Sequence, residues 1–429
     1  MTLPGLVRAA RERSLFFLLM GGGASLGLLR SFVVAGFLSA IDFGIYAAAV
    51  AIALFLSPFL GFGRIEETRK LYPRLFSDGR TDEIAPHAVH LVAILGLRIG
   101  ALTAAGSALA WLVKDAQPWW VVVLSAGLIA FNQAGMAVLI SALRAGTNTI
   151  NLAIAAFARS VGSLAFAIFG AFAIGLPGAL LGEGVGGLIG LVLAWRMLPR
   201  TRAASSTERQ KGPALSRLGR YSPDGLRLLL GTMAISLPVY LSRPVVGAIY
   251  DLEQLGTFAF LMLFASGALA GYGIVDQLAG PSLVRMQRVG ASYDQQLRRL
   301  LVVMGAAGLL MLGFLAAAFV ALQHPMLEFY VAKYGLEWAL ISPAIIFAVL
   351  QFTSTTDWFL IANDRERAVL RAALLYVVAF GALSLVTALL KPPLEVFLWG
   401  LAMAKLCQLL VAWLFVSKIG VAEGRVPGR

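Results

Sequence analysis

The sequence predicts an all-α polytopic membrane protein of about twelve transmembrane helices, arranged as two six-helix lobes related by an internal repeat. Three observations predict this fold class. Hydrophobic residues make up 59% of the 429 residues and charged residues 13%, with a mean hydropathy of +0.83, whereas typical globular chains are about 25% charged. Basic residues are concentrated in alternate loops. Finally, the opening hairpin of the chain recurs near its midpoint.

Apolar runs long enough to cross a bilayer recur along the whole chain. The first, residues 15–38, contains one charged side chain, Arg30. At 1.5 Å per residue this run makes about 36 Å of helix, and the hydrocarbon core is about 30 Å thick. It ends at a polar turn, Ser39–Asp42, and Phe-Gly-Ile-Tyr then opens the second run. The predicted spans are 15–38, 43–63, 88–113, 119–142, 150–175, 178–198, 226–249, 257–280, 300–322, 339–362, 369–390 and 395–417.

The distribution of basic residues predicts the orientation of these spans. With the N-terminus in the cytoplasm, 27 of the 35 Lys and Arg residues lie in cytoplasmic segments, three lie on the opposite side and five lie within spans. Such an imbalance over short loops follows the positive-inside rule and places both termini in the cytoplasm. The net charge of +13 is therefore interpreted as a signal of topology and of attraction to anionic lipids, and nucleic acid is not expected as a partner.

The midpoint of the chain predicts a boundary between two halves. Residues 196–224 are rich in Ser, Thr and Arg, which is typical of a flexible linker. We therefore predict an N-terminal six-helix lobe over residues 1–200, a cytoplasmic linker over 201–224 and a C-terminal six-helix lobe over 225–429.

The opening stretch recurs in the second half. Leu29–Gly44 reads LRSFVVAGFLSAIDFG, and Leu241–Gly256 reads LSRPVVGAIYDLEQLG. Each contains an arginine, two valines, an acidic turn and a glycine at the start of the next span. Parallel repeats of this kind are a recurring plan of secondary transporters.

Two loops are longer than simple turns. Residues 64–86 on the cytoplasmic side alternate apolar and basic side chains, which predicts an amphipathic helix at the membrane surface. The longest loop on the other side, residues 323–338, is too short for a catalytic domain. That length disfavours a glycan polymerase or ligase.

Eight charged residues lie more than three residues from either end of a predicted span. At the centre of a span such a residue costs about 2.5–3.5 kcal/mol and normally faces protein or water. Such groups can either pair with one another and hold helices together or line a polar cavity. Because cations outnumber anions, an anionic ligand is favoured, and guanidinium groups supply the multidentate donors that a diphosphate needs. We assign diphosphate binding to Arg30, Arg98, Arg159, Arg243 and Lys405, and candidate coupling to a proton or sodium ion to Glu183, Asp276 and Asp357.

Glycines and familiar catalytic motifs add little chemistry. Gly178, Gly182, Gly186 and Gly190 recur every four residues and therefore share one helix face, which predicts close packing against another helix. The sequence contains no HExxH, GxSxG, CxxC or P-loop motif. No catalytic residue and no metal site are predicted, so we expect that the protein is not an enzyme.

The opening hairpin also carries a family resemblance. At Phe37–Ala49, FLSAIDFGIYAAA, the sequence resembles the polysaccharide-biosynthesis flippases (Wzx-type) of the multidrug/oligosaccharidyl-lipid/polysaccharide exporter superfamily. Leu38, Asp42, Phe43-Gly44-Ile45 and Tyr46 match the pattern of that hairpin. The second hairpin departs from it, because Thr257-Phe258 stands where the family often has an aliphatic residue and Tyr.

The resemblance implies two six-helix lobes around a central cationic cavity that opens alternately to either side. It implies an inner-membrane flippase for an undecaprenyl-diphosphate-linked oligosaccharide, working without a cofactor in surface or exopolysaccharide (O-antigen type) synthesis. Membrane lipids, a polymerase and a chain-length regulator are the candidate partners. The alternatives are a drug/cation antiporter of the same superfamily, for which an acidic cavity would be expected, a major-facilitator transporter, or a glycan polymerase or ligase.

Overall fold

The computed structural model of the protein describes residues 3–112, 119–145, 149–198, 223–288, 290–322, 325–352, 355–363 and 365–423, and their regular structure is helical. A short 3-10 helix, Thr81–Glu83, precedes the fourth α-helix. The first seven helices are α1 (Leu3–Phe37), α2 (Ala40–Phe59), α3 (Arg64–Ser77), α4 (Ile84–Leu112), α5 (Trp119–Ala145), α6 (Thr149–Ile174) and α7 (Leu176–Arg196).

Eight helices follow in the second half of the described chain. They are α8 (Pro223–Ile249), α9 (Leu252–Arg288), α10 (Tyr293–Leu322), α11 (Pro325–Tyr334), α12 (Trp338–Phe352), α13 (Thr355–Ala362), α14 (Glu366–Leu390) and α15 (Leu394–Glu423). The predicted linker, residues 201–224, lies outside the described residues except for its last two, which begin α8.

The chain forms two compact units. The first contains Met1–Leu38 and Tyr46–Met233, and the second contains Ser39–Ile45 and Ala234–Arg429. The division falls inside α2, so the first residues of this helix pack with the second unit and the remainder with the first. The first unit has a hydrophobic core formed by buried side chains of α3, α4, α5, α6 and α7.

The fold class predicted from the sequence is confirmed. Within the described residues, ten helices are long and apolar enough to cross a membrane, and a bent pair of helices would make an eleventh span. Six of them belong to the first half of the chain and coincide with the six spans predicted there: α1, α2, α4, α5, α6 and α7. The protein is therefore a multi-pass helical membrane protein.

The second half differs in detail from the prediction. The predicted outer loop 323–338 contains a helix, α11, and this helix meets α12 at a bend of 101°. The predicted span 339–362 is divided between α12 and α13. A ten-residue helix escapes a search for long apolar runs because it is too short to cross the bilayer by itself.

The start of α2 explains why the repeated hairpins contain glycine. Ser39 caps the helix, because its hydroxyl accepts a hydrogen bond of 3.0 Å from the backbone N–H of Asp42. A Cβ on Gly44 would lie 2.9 Å from the backbone nitrogen of Gly256. The two glycines that correspond in the repeat are therefore in contact. Beside them the Phe43 ring lies edge-on to Tyr334 of α11, with 5.8 Å between ring centroids.

The glycine face of α7 packs against α6, as the four-residue spacing predicts. A Cβ on Gly178 would overlap the backbone of Gly170, and one on Gly186 would overlap the carbonyl oxygen of Gly162. The two backbones therefore approach as closely as only glycine permits. This close packing fixes which residues of α6 and α7 face each other.

The predicted amphipathic helix is α3, but its apolar face is covered by protein. Ile65, Tyr72 and Leu75 are buried in the core of the first unit. The Tyr72 hydroxyl lies 3.0 Å from Nδ1 of His87 and forms a hydrogen bond with it. Burial raises the pKa of Tyr72 above its ordinary value, and the nearby Glu67 carboxylate acts in the same direction.

Candidate functional site

One buried carboxylate, Glu183 of α7, connects three helices of the first unit. Its Oε1 lies 2.7 Å from Nη1 of Arg30 on α1, and these side chains are 8% and 18% exposed respectively. The Tyr46 hydroxyl of α2 donates a hydrogen bond to the other carboxylate oxygen, Oε2. A carboxylate in an apolar bundle is stable only when it is paired and hydrogen-bonded. The contacts with Arg30 and Tyr46 therefore explain how Glu183 can be buried here.

A second guanidinium lies near the same carboxylate without pairing with it. Arg159 of α6 lies within electrostatic reach of Glu183 and Arg30, and its Cα and Cβ lie against Gly190 of α7. Neither an ion pair nor a hydrogen bond joins Arg159 to any described residue. Two guanidiniums and one carboxylate leave this part of the first unit with one uncompensated positive charge.

Neutral polar side chains support the backbone around Glu183. The Ser163 hydroxyl donates a 3.4 Å hydrogen bond to the carbonyl oxygen of Glu183. The Asn132 amide donates to the carbonyl oxygen of Gly184. Both side chains are buried. They tie α5 and α6 to the segment of α7 that carries the carboxylate.

The second unit holds another buried guanidinium, Arg243 of α8, which is 6% exposed. Its Nη2 donates a 3.2 Å hydrogen bond to the Ser266 hydroxyl of α9, while its Nε is buried without a hydrogen-bond partner. Tyr240, one turn earlier, is its electrostatic neighbour. No described carboxylate forms an ion pair with Arg243. In the repeat Arg243 corresponds to Arg30, but no described carboxylate pairs with Arg243 as Glu183 pairs with Arg30.

Lys405 of α15 lies in a different environment, fully buried in the second unit. Its Nζ donates a 2.8 Å hydrogen bond to Oε1 of Gln408 and lies 5.4 Å from the centroid of the Tyr376 ring. Asp357 of α13, 7% exposed, is the carboxylate that acts on it electrostatically. The charge of Lys405 is therefore balanced within its own unit.

The remaining predicted residues lie apart from these clusters. The guanidinium carbon of Arg98 on α4 lies 5.2 Å from the centroid of the Phe62 ring, in the turn that follows α2. Arg98 is half-buried, and a cation over an aromatic face gains about 0.5–2 kcal/mol. Asp276 belongs to α9, but its side chain lies outside the described residues.

The structure thus brings Arg30, Arg159 and Glu183 together, and Lys405 with Asp357, while Arg98 and Arg243 contact other groups. Sequence reasoning missed the polar partners of these charges. Tyr46, Gln408 and Tyr376 are the clearest cases, although Gln408 carries a recognisable signal as an amide inside an apolar run. Among the described residues no group of three His, Cys, Asp or Glu side chains could hold a metal ion.

No protein-family model matches the sequence, and no curated protein matches it. Solved structures do match over almost the whole chain. A MATE structure in complex with MaL6 has a TM-score of 0.62 at 16% identity and covers 97% of both chains. The inward-facing conformation of a multidrug resistance MATE family transporter of the MOP superfamily has a TM-score of 0.58 at 15% identity and covers 96% of both chains.

A third structure is a MOP superfamily transporter from Pyrococcus furiosus, with a TM-score of 0.54 at 15% identity over 97% of this chain and 96% of that one. It is described as having a reverse polarity of its binding pocket that suggests a different function. At this level of identity the likeness establishes the fold. The chain has the two-lobed fold of the MATE transporters of the MOP superfamily.

Proposed function

We propose that the protein is an inner-membrane flippase with both termini in the cytoplasm. It moves an undecaprenyl-diphosphate-linked oligosaccharide from the cytoplasmic to the periplasmic leaflet by alternating access. The MATE-type fold supports a transporter, and the resemblance of the first hairpin supports this substrate class. The mechanism forms no covalent bond and uses no cofactor.

The observation that carries the proposal is the excess of positive charge on a half-buried arginine, Arg159, and a buried arginine, Arg243. Arg159 in the first unit has no ion pair with a described residue, and Arg243 in the second unit is paired with a neutral hydroxyl. Keeping such guanidiniums in an apolar bundle is costly unless a ligand compensates them. A diphosphate offers several anionic oxygens, which match the planar donor array of guanidinium.

The five cationic residues have different roles in this proposal. Arg159 in the first unit and Arg243 in the second unit are each assigned to contact with the diphosphate, each within its own unit. Arg30 is paired with Glu183, and Lys405 lies near Asp357. Each of these cations contacts the substrate once its carboxylate is displaced or protonated. Arg98 adds positive charge beside the turn after α2. Coupling to a proton or sodium ion is assigned to Glu183 and Asp357, and Asp276 remains a third candidate by sequence.

The second candidate is a drug/cation antiporter. It is favoured by the comparisons, because structures that match the fold include multidrug MATE transporters. The sign of the buried charge argues against it, since an organic cation would meet uncompensated guanidiniums. Charge selectivity therefore separates the two functions.

Neutralising the uncompensated guanidiniums tests the proposal. In proteoliposomes containing a fluorescent undecaprenyl-diphosphate sugar, Arg159→Gln and Arg243→Gln should each lower the flipping rate at least tenfold, because a charge-assisted contact of about 1.5–3 kcal/mol is lost. Protein yield and melting temperature should stay near those of the wild type. Arg371→Gln, at an exposed arginine of α14, is the matched control and should flip normally. Wild-type rates in both test variants would refute the proposed site.

A further inference from the structure

The turn between α2 and α3 holds a phenylalanine in a backbone conformation that favours glycine. Phe62 has a φ of +46°, and Gly63 after it has a φ of +80°. Helices commonly end on a left-handed residue, which is usually glycine because a side chain there lies too close to the following carbonyl oxygen. Glycine stands on both sides of Phe62, at positions 61 and 63. A bulky side chain between them is strained and therefore needs a reason.

Burial of the ring does not supply that reason. Phe62 is 44% exposed, and the nearby ring of Phe59, with 5.9 Å between the centroids, is 43% exposed. The turn is held by its backbone, because the N–H of Phe62 donates a 2.9 Å hydrogen bond to the carbonyl oxygen of Phe59. Another 2.9 Å hydrogen bond runs from the N–H of Arg64 to the carbonyl oxygen of Gly61. Any residue at position 62 could make the first bond, so the reason lies in the side chain.

The face of the Phe62 ring contacts a charge. The guanidinium carbon of Arg98 lies 5.2 Å from the ring centroid. Around α4, Arg98 stands within about 20° of Leu91 and about 60° of Leu95, and both leucines are buried in the core of the first unit. No described residue forms a hydrogen bond or an ion pair with Arg98. Within the described part of the first unit, the ring is therefore the group that stabilises this cation.

An aromatic face stabilises a guanidinium without using its hydrogen-bond donors. The five N–H groups lie in the plane of the guanidinium, whereas the attraction to the ring acts through the negative face of the π-system. A carboxylate in the same place would accept hydrogen bonds and cancel the charge, as Glu183 does for Arg30. Arg98 therefore keeps both its charge and its donors for an anionic ligand.

We propose that Phe62 is a positioning residue for the diphosphate: its left-handed backbone holds the ring against Arg98, and the ring orients the free N–H donors of Arg98 toward the anionic oxygens. The inference rests on the proposed function, in which Arg98 adds positive charge beside this turn, and it gives Arg98 a direct contact with the substrate. Phe62 itself does not touch the diphosphate. The strained backbone is retained because it brings the ring to Arg98.

Flipping of the fluorescent undecaprenyl-diphosphate sugar in proteoliposomes separates the ring from the backbone. Phe62→Leu and Phe62→Ala remove the ring and should each slow flipping about three- to fivefold, the size of one cation–π contact at a partly exposed site. Phe62→Tyr keeps an aromatic face and should flip like the wild type. Phe62→Gly should flip as slowly as Phe62→Ala but melt at a higher temperature, because only glycine adopts this φ without a steric cost. Phe166→Leu, at a 43% exposed phenylalanine of α6, is the matched control and should flip normally.

A double-mutant cycle shows whether Phe62 acts through Arg98. In an Arg98→Gln background, Phe62→Leu should cause no further loss of flipping, because the ring then has no guanidinium to orient. The same pair should show an interaction in melting temperature. An equal loss with and without Arg98, or a Phe62→Tyr variant as slow as Phe62→Leu, would overturn the positioning role. A Phe62→Gly variant that melts no higher than Phe62→Ala would reject the strain at this turn.

Failure of this inference is distinguishable from failure of the proposed function. Wild-type flipping in Phe62→Leu, with flipping slowed in Arg159→Gln and Arg243→Gln, would reject the positioning role and keep the flippase. If the wild type moves no diphosphate lipid, the proposed function fails. The melting-temperature cycle then decides by itself whether Phe62 holds Arg98.

Discussion

Replacing Glu183 with glutamine should lower the stability of the first unit by about 3–5 kcal/mol, the usual cost of removing one partner of a buried ion pair. The substitution keeps the size of the side chain but leaves Arg30 and Arg159 near each other without a counter-charge. Tyr46 also loses its charged hydrogen-bond acceptor. The melting temperature of the detergent-solubilised protein, followed by tryptophan fluorescence, measures the effect.

A second-site change shows that charge causes this loss. Adding Arg30→Gln to Glu183→Gln removes one positive charge and should recover more than half of the lost melting temperature. Glu337→Gln, at an exposed carboxylate, is the control and should melt like the wild type. A double variant that melts no higher than Glu183→Gln would contradict the electrostatic account of the cluster.

Adding a methyl group at the crossing of α6 and α7 should have the other large effect. A Cβ at Gly186 would overlap the carbonyl oxygen of Gly162, and one at Gly178 would overlap the backbone of Gly170. A backbone atom cannot rotate away as a flexible side chain can, so Gly186→Ala and Gly178→Ala should each destabilise by about 1–3 kcal/mol. This loss exceeds the helix-propensity gain of about 1 kcal/mol from replacing glycine with alanine.

Gly27→Ala is the matched control, because Gly27 lies inside α1 and a Cβ there would meet no atom within 4 Å. It should leave the melting temperature unchanged or raise it. Because the α6–α7 crossing also holds Arg159 beside Glu183, Gly186→Ala should slow flipping as well. If Gly186→Ala melted like Gly27→Ala, the two helices would not be as closely packed as described.

The sequence predicted the helices of the first unit well because each is a long apolar run bounded by polar turns. The glycine spacing in α7 predicted a packing face, and α6 proved to be its partner. The second half was harder to predict. Helix α11 is only ten residues long and carries Glu328 and Lys333, so neither its length nor its hydropathy separates it from a loop.

The sequence identified the members of the cluster formed by Arg30, Arg159 and Glu183. It did not predict which of these side chains pair with each other. Apolar context identified Arg30, Arg159 and Glu183 as buried charges, since such residues stand out in a span. Which cation meets which anion depends on helix packing between distant segments. Tyr46 and Glu183, for example, are 137 residues apart in the chain, and no local periodicity joins them. Counter-ion pairing could therefore be learned only from the fold.

The sign of the transported charge tests the account most directly. Wild-type proteoliposomes are given a fluorescent undecaprenyl-diphosphate sugar, the same chain with a neutral sugar head group and no phosphate, and a cationic dye. We expect the diphosphate lipid to be flipped at least tenfold faster than the neutral lipid, and the dye to cross no faster than in empty liposomes. Uptake or efflux of the dye without flipping of the diphosphate lipid would contradict the account and establish the cation antiporter instead.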